Sequence, residues 1–286
     1  MSGTGAVRVT GLRIYPVKSM KGIACQQATL TPEGLLHDRR FMVIRTSGRF
    51  VTQRDMPRMS LVSVELEGCG ISLSMGDASR ITVPFDYVDG QRFTTKVWGD
   101  PCETVDQGES ISRWLTEALE SSETLHLVAM APGYNRPQGK PDLLGAETHT
   151  LFADAAPFLI ANETSLQALN SELLARSLDA VPMNRFRPNI IVRGLGAFEE
   201  HHTGGLSGSD LSLRFHHPCQ RCIVTTIDQD TARRHPQREP FNTLCGINPM
   251  PDSDRQPAFG HNASLARGEG STISVGDILT IQGNTP

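Results

Sequence analysis

From Arg8 to about Asp106 apolar and polar positions mostly alternate, the period of strands with one buried face. Leu61-Val62-Ser63-Val64-Glu65-Leu66-Glu67 alternates, Gly68-Cys69-Gly70 turns, and Ile71-Ser72-Leu73-Ser74-Met75 alternates again, which predicts a β-hairpin. Phe41-Met42-Val43-Ile44, Thr46-Ser47-Gly48 and Phe50-Val51-Thr52 predict a second. Short strands punctuated by Gly and Pro point to a sandwich or barrel. The period changes over 109–121, where Ile111, Trp114, Leu115, Ala118 and Leu119 share one helical face and Ser110 is the expected N-cap. Strand-like Leu125-His126-Leu127-Val128 then marks a passage to a second module, and the Pro- and Gly-containing stretch 131–148 reads as a long loop. A second helix is expected after Asn162, with Leu166, Leu169, Leu173 and Leu174 on one face. Strands are expected over 189–193, 211–215, 222–227 and 273–281. The pattern predicts two β-rich modules with a few helices and no internal repeat.

At 286 residues the chain exceeds one ordinary core of ~100–150 residues, in keeping with two modules. It has no apolar run of ~18 residues, so no membrane-spanning helix is expected. The start, Met1-Ser2-Gly3-Thr4-Gly5, is unlike a secretory signal. A net charge of -4 argues against general nucleic-acid binding. The charge is unevenly placed, however. Residues 1–60 carry ten Lys or Arg against three acids, a surplus of seven, and 23 of the chain's 27 basic residues are Arg. The planar guanidinium fits phosphate and carboxylate with paired bonds, so a local anion site competes with a solvated basic face. Of six cysteines only Cys219 and Cys222 are closely spaced. A disulfide framework is not expected, and the compartment expected is the reducing cytoplasm.

Several familiar patterns fail. Gly194-Leu195-Gly196 follows a strand, but position 199 is Glu, so a dinucleotide loop is not supported. Gly139-Lys140 lacks the Ser or Thr and the spacing of a P-loop, and Ser207 misses the nucleophile-elbow spacing. His201-His202 and His216-His217 have no partner at ligand spacing and read as surface or turn residues. Cys219-Gln220-Arg221-Cys222 remains, with three readings. It is half of a zinc site, a redox dithiol weakened by the strand expected after it, or the source of a single thiolate ligand with Arg221 favouring the charged form. A buried structural pair is the plain alternative.

Tyr15-Pro16-Val17-Lys18-Ser19, Leu35-Leu36-His37-Asp38-Arg39-Arg40-Phe41 and Thr52-Gln53-Arg54-Asp55-Met56-Pro57-Arg58 resemble the N-terminal β-barrel module that precedes MOSC domains. Arg185-Phe186-Arg187-Pro188-Asn189, Pro218-Cys219-Gln220-Arg221-Cys222, Thr225-Thr226-Ile227-Asp228, Phe259-Gly260-His261-Asn262 and Val275-Gly276-Asp277 resemble the MOSC domain itself. The resemblance covers nearly the whole chain, in order, and is nearest to the amidoxime reducing components and their bacterial counterparts. It implies an α+β, predominantly β fold, with the N-terminal module over 7–122 and a MOSC-domain β-barrel with a few helices over 126–283.

The resemblance further implies a molybdenum cofactor, the metal held by the dithiolene of a phosphate-bearing pyranopterin. Cys222 matches the family's catalytic metal ligand, a soft thiolate. Lys18, Ser19, Arg39 and Arg187 match the residues that hold the pterin and its phosphate. Gln220 and Arg221 match the pair before the cysteine, and Asn262 a contact that is Tyr in animal relatives. Asp154 matches a further contact, but Ala155 and Ala156 stand where animal relatives carry hydroxyl residues. The implied activity is reduction of N-hydroxylated or N-oxide small molecules. Electrons would come from a separate donor (ferredoxin-like, flavoprotein or cytochrome), because no cysteine follows Cys245 and a built-in iron–sulfur cluster is not expected. No nucleic-acid or membrane partner is implied. Two other readings stay open: a sulfur carrier with a persulfide on Cys222, and a zinc- or cysteine-stabilised binding module.

Overall fold

The computed structural model describes residues 5–283 apart from 78, 137 and 146. Seven strands close a barrel. Phe158–Asn162 runs parallel to Ile190–Arg193, which pairs antiparallel with Ala6–Ile14. The circuit continues through Ile278–Gly283, Thr203–Ser207, Ser212–Gln220 and Ser253–Arg267, which returns to Phe158–Asn162. Alternation explains the filling: Val7, Val9, Leu12, Ile14, Ile160, Ile190, Val192, Leu206, Leu213 and Leu279 form one buried core. The register of the first strand shifts between Val9 and Gly11, and the inward set shifts with it.

The second unit centres on a sheet ordered Phe41–Arg45, Leu125–Met130, Asp100–Asp106, Arg92–Val97. Beside it lies a three-stranded sheet, Ser63–Glu67, Gly70–Ser74 and Ile81–Pro84. Helix α1, Glu109–Ala118, buries Ile111, Trp114 and Leu115 in the core between them. The predicted hairpin over 61–75 forms with Val64 opposite Leu73 and Leu66 opposite Ile71. In space the segments are interleaved: Ala6–Ile14 lies in the barrel, and Leu125–Met130 pairs with strands of the second unit.

The predominantly β architecture and both long helices follow the sequence pattern, with local corrections. Gly108, not Ser110, caps α1, and it does so with no side-chain bond. Asn162 caps the helix Glu163–Ala175 by accepting from the Thr164 N–H. Leu169 and Leu173 are buried there, but Leu174 is 61% exposed, because it falls off the stripe. The stretch expected as a strand over 222–227 is a 3₁₀ turn, Ile223–Thr226, since β-branched residues can also sit in a tight turn whose hydroxyls bond back to the chain. The stretch 131–148 is not simply loop. It contains the short helix Pro141–Leu144, and Arg136 within it is buried. Arg136 bonds Asp100 and the Leu151 and Ala153 carbonyls. The region 273–281 is two strands, Thr272–Ser274 and Ile278–Gly283, split at Gly276 with φ 103°. His201 is half-buried against buried His261 rather than at the surface, and His216 and His217 are half-buried as well.

Candidate functional site

A cleft between the two units is walled by Lys18, Ser19, Arg39 and Arg54 on one side, and by Asp154, Arg187, Arg221, Cys222 and Asn262 on the other. Each arrives through a local turn. After the first strand Val17 bridges to Phe41, while the Arg39 N–H donates to the Tyr15 carbonyl, so Lys18 and Arg39 are brought side by side. Ser19, Arg39 and Arg187 all have left-handed backbones, with φ of 71°, 46° and 55°. Each such residue costs roughly 1–2 kcal/mol. Strain gathered at three neighbouring cleft residues points to function.

The basic end is built on Tyr15. The Arg39 and Arg187 guanidiniums lie over its ring at 4.5 and 4.2 Å. The ring is fully buried, and a Cβ at Gly22 would overlap it, which is why a glycine stands there. Arg39 is paired with buried Asp38, and its Nη2 donates to the Arg187 carbonyl. Arg187 Nη1 donates to the Met20 carbonyl at 2.7 Å, and burial lowers its pKa to about 10, so it stays charged at neutral pH. Lys18 Nζ donates to the Phe152 carbonyl at 2.7 Å and pairs with Asp154. Burial pulls the Lys18 ammonium below its ordinary value against the opposing pull of Asp154. The protein around Asp154 would raise its carboxyl. Lys18 and the Trp98 N–H outweigh that and hold it well below the usual carboxylate range.

At the other end Cys222 is exposed at the start of the 3₁₀ turn, and Arg54 Nη1 lies 3.3 Å from its Sγ. Arg221 Nη1 lies 3.0 Å from Cys219 Sγ, and its Nη2 donates to the Phe186 carbonyl. Both cysteines are free. Asn262 is buried on the strand Ser253–Arg267, its amide 3.4 Å from the His217 carbonyl.

Of the nine residues singled out in the sequence, eight line this cleft. Gln220 does not; it is exposed at the end of its strand. Asp228 is a turn residue, accepting from the Asp230 and Thr231 N–H groups and pairing with Arg185 at 2.6 Å. Sequence reasoning missed Tyr15, Arg54 and Trp98 as parts of the site. Tyr15 and Arg54 lay inside motifs already marked, whereas nothing in the pattern flagged Trp98.

Two buried donors, Arg187 Nη2 and Arg221 Nε, have no acceptor among the described residues. An orphaned charged donor is costly, and these two differ from the other unpaired arginine nitrogens, on Arg40, Arg58 and Arg185, in belonging to residues that line the cleft. Arg187, with Arg39 stacked on the same tyrosine and Lys18 nearby, makes a donor set that suits an anion bearing several oxygens.

Comparison with known proteins gives the same picture. Residues 6–122 match the MOSC N-terminal beta barrel domain and residues 147–280 the MOSC domain. Mitochondrial amidoxime-reducing component 1 of Homo sapiens is 33% identical over 96% of this chain and 83% of its own length. The protein of that name from Danio rerio is 32% identical over 82% of this chain and 73% of its own. Human mitochondrial amidoxime reducing component 2 is 30% identical over 88% and 77%.

Proposed function

We propose that this chain, which belongs to the family of MOSC-domain proteins that includes the amidoxime-reducing components, is a molybdenum-cofactor oxidoreductase that reduces N-hydroxylated or N-oxide small molecules. The observation that carries the reading is the cleft itself: an orphaned Arg187 donor and a buried Lys at one end, an exposed thiol with Arg221 near it at the other. Lys18, Ser19, Arg39 and Arg187 would hold the pterin phosphate, and Arg221 and Asn262 its ring system. Asp154 would steady Lys18, and Cys222 would ligate the metal. Gln220, exposed as it is, would contribute through its backbone. When bound, the cofactor supplies the two-electron redox chemistry that no side chain here provides.

The chain's own residues have definable tasks. Lys18, Arg39 and Arg187 neutralise a phosphate of ~-1.5 to -2 charge. Arg54 and Arg221 place guanidinium N–H donors beside the sulfurs of Cys222 and Cys219. The walls orient a small N-oxygenated molecule beside Cys222. Among the described residues no cluster of three or more His, Cys, Asp or Glu is placed to hold a metal ion, so a metal at Cys222 needs ligands from outside the chain, as a dithiolene gives. We place the protein in the reducing cytoplasm, supported by six free cysteines, and assign its electrons to a separate redox protein. We also take 7–122 and 126–283 as its two sequence modules.

A cysteine persulfide carrier is the second reading, supported by the exposure of Cys222; it leaves the orphaned arginines without a task. Molybdenum and pterin analysis, with benzamidoxime reduction, on protein from a cofactor-producing host separates the two. Near-stoichiometric molybdenum and turnover that Cys222→Ala abolishes support the reductase. Sulfane sulfur without molybdenum, in a host that loads another molybdenum enzyme, rejects it.

A further inference from the structure

Two neighbouring residues, Arg54 in the cleft lining and Trp98 beside it, have no part in holding the pterin or its phosphate. Trp98 stands at the tip of the hairpin between Arg92–Val97 and Asp100–Asp106, with φ 55°, followed by Gly99 at 105°. Bulky side chains disfavour that backbone. The indole is also 54% exposed, so neither backbone nor burial explains its presence.

Its contacts do. The indole N–H donates to Asp154 Oδ1 at 2.8 Å, and Phe50 packs edge-on with ring centres 5.5 Å apart. The Arg54 guanidinium lies over the ring at 4.5 Å. That guanidinium also sends Nη1 to Cys222 Sγ, and the Arg54 carbonyl accepts from Arg234 Nη2. It is therefore held between an indole face and the thiol. Stacking engages the face of a guanidinium and leaves its in-plane N–H groups free. Among the described residues Nε and Nη2 of Arg54 have no acceptor, and the side chain lines the cleft.

Resting on the reductase reading, we propose that Arg54 orients the substrate by donating to the oxygen of its N–O group beside Cys222, and that Trp98 is the positioning residue that keeps the guanidinium there. An amidoxime oxygen is a hydrogen-bond acceptor, and it gains negative charge as electrons enter the N–O bond. A fixed, permanently charged donor therefore favours both binding and turnover. Lysine at position 54 keeps the charge but loses the plane and the fork.

The test uses cofactor-loaded protein and benzamidoxime as probe, with calorimetric binding to the oxidised form alongside KM, kcat and molybdenum content. Arg54→Ala and the closer-shaped Arg54→Gln weaken benzamidoxime binding about ten- to a hundredfold at unchanged molybdenum content, and Arg54→Lys does not restore it. Trp98→Ala acts in the same direction by a smaller factor, and Trp98→Phe recovers most of the loss. The double variant Arg54→Ala/Trp98→Ala binds no worse than Arg54→Ala alone, because Trp98 acts through Arg54. Unchanged binding in Arg54→Ala overturns the assignment of Arg54, as does molybdenum loss in both the Ala and Gln variants. Additive losses in the double variant overturn that of Trp98. If wild-type protein reduces no N-oxygenated compound, the reductase reading fails. The calorimetry then still decides the contact: Arg54-dependent binding upholds it, and absent or Arg54-independent binding rejects it.

Discussion

At one end of the cleft Lys18, Arg39 and Arg187 are fixed by carbonyls, a carboxylate and a buried tyrosine ring, two of them on left-handed backbone. At the other, Cys222 is exposed on a single turn, and among the described residues the side chain that meets its sulfur is half-buried Arg54. The first end is built before anything binds. Its strain and its orphaned donor are costs of folding that only a ligand recovers. The second end is open, as a reacting group must be if a substrate is to reach it. Retention and reaction are thus served by different residues, and substitutions should separate them.

The largest separation is expected between Cys222→Ala and Arg187→Met. Cys222→Ala removes turnover entirely but leaves pterin bound, because the phosphate clamp is intact. Arg187→Met weakens cofactor retention about ten- to a hundredfold, the loss of a charge-assisted bond. The same change relieves an unpaired buried donor, worth about 1–3 kcal/mol, but orphans the Met20 carbonyl, so the melting temperature of cofactor-free protein stays nearly unchanged. Pterin content by fluorescence and melting of both forms check this. A fall in the stability of the cofactor-free form would show that Arg187 is structural and would break the comparison.

A smaller effect concerns the wall joining the two ends. His261 precedes Asn262 on the strand Ser253–Arg267 and faces His201, with ring nitrogens 3.4 Å apart. Burial lowers His261 to about 3 and His201 to about 4, and His202, His216 and His217 add repulsion. The unfolded chain protonates both near pH 6.5, whereas the folded chain does not until pH 4 or below. Stability is therefore complete above about pH 6.5 and declines as pH falls toward 4, by a few kcal/mol in total. Melting curves between pH 7.5 and 4.5 should show the decline, and His261→Gln should flatten it. A pH-independent wild-type profile would place both rings in contact with water.

Alternation made the barrel strands and the 61–75 hairpin legible, since a half-buried strand must write its burial into every second residue. The closure of the barrel was not legible, because pairing of Ala6–Ile14 with Ile278–Gly283 joins the two ends of the chain and leaves no local trace. Most of the site was legible, because its residues sit in marked motifs. Trp98 was not, as its task depends on contacts with Arg54 and Asp154, which lie 44 and 56 positions away. The turn after Cys222 was misread because Ile223-Val224-Thr225-Thr226 has the composition of a strand, and only its hydroxyl-to-carbonyl bonds reveal a turn.

The smallest effect is the sharpest probe of the basic end. Tyr15 presents its ring to both Arg39 and Arg187, but its hydroxyl is buried with no partner among the described residues, and burial raises its pKa. If the ring face is what matters, Tyr15→Phe keeps both guanidiniums in place and relieves an unsatisfied group. It should then leave cofactor retention unchanged and shift stability by no more than about 1 kcal/mol in the stabilising direction. Tyr15→Leu keeps the burial but loses the quadrupole, so retention should fall while the fold persists. Equal retention in the Phe and Leu variants would show that packing alone sets the two arginines. A loss in the Phe variant would mean that the hydroxyl meets an acceptor once the cofactor is bound, and the basic end would then be only partly built beforehand.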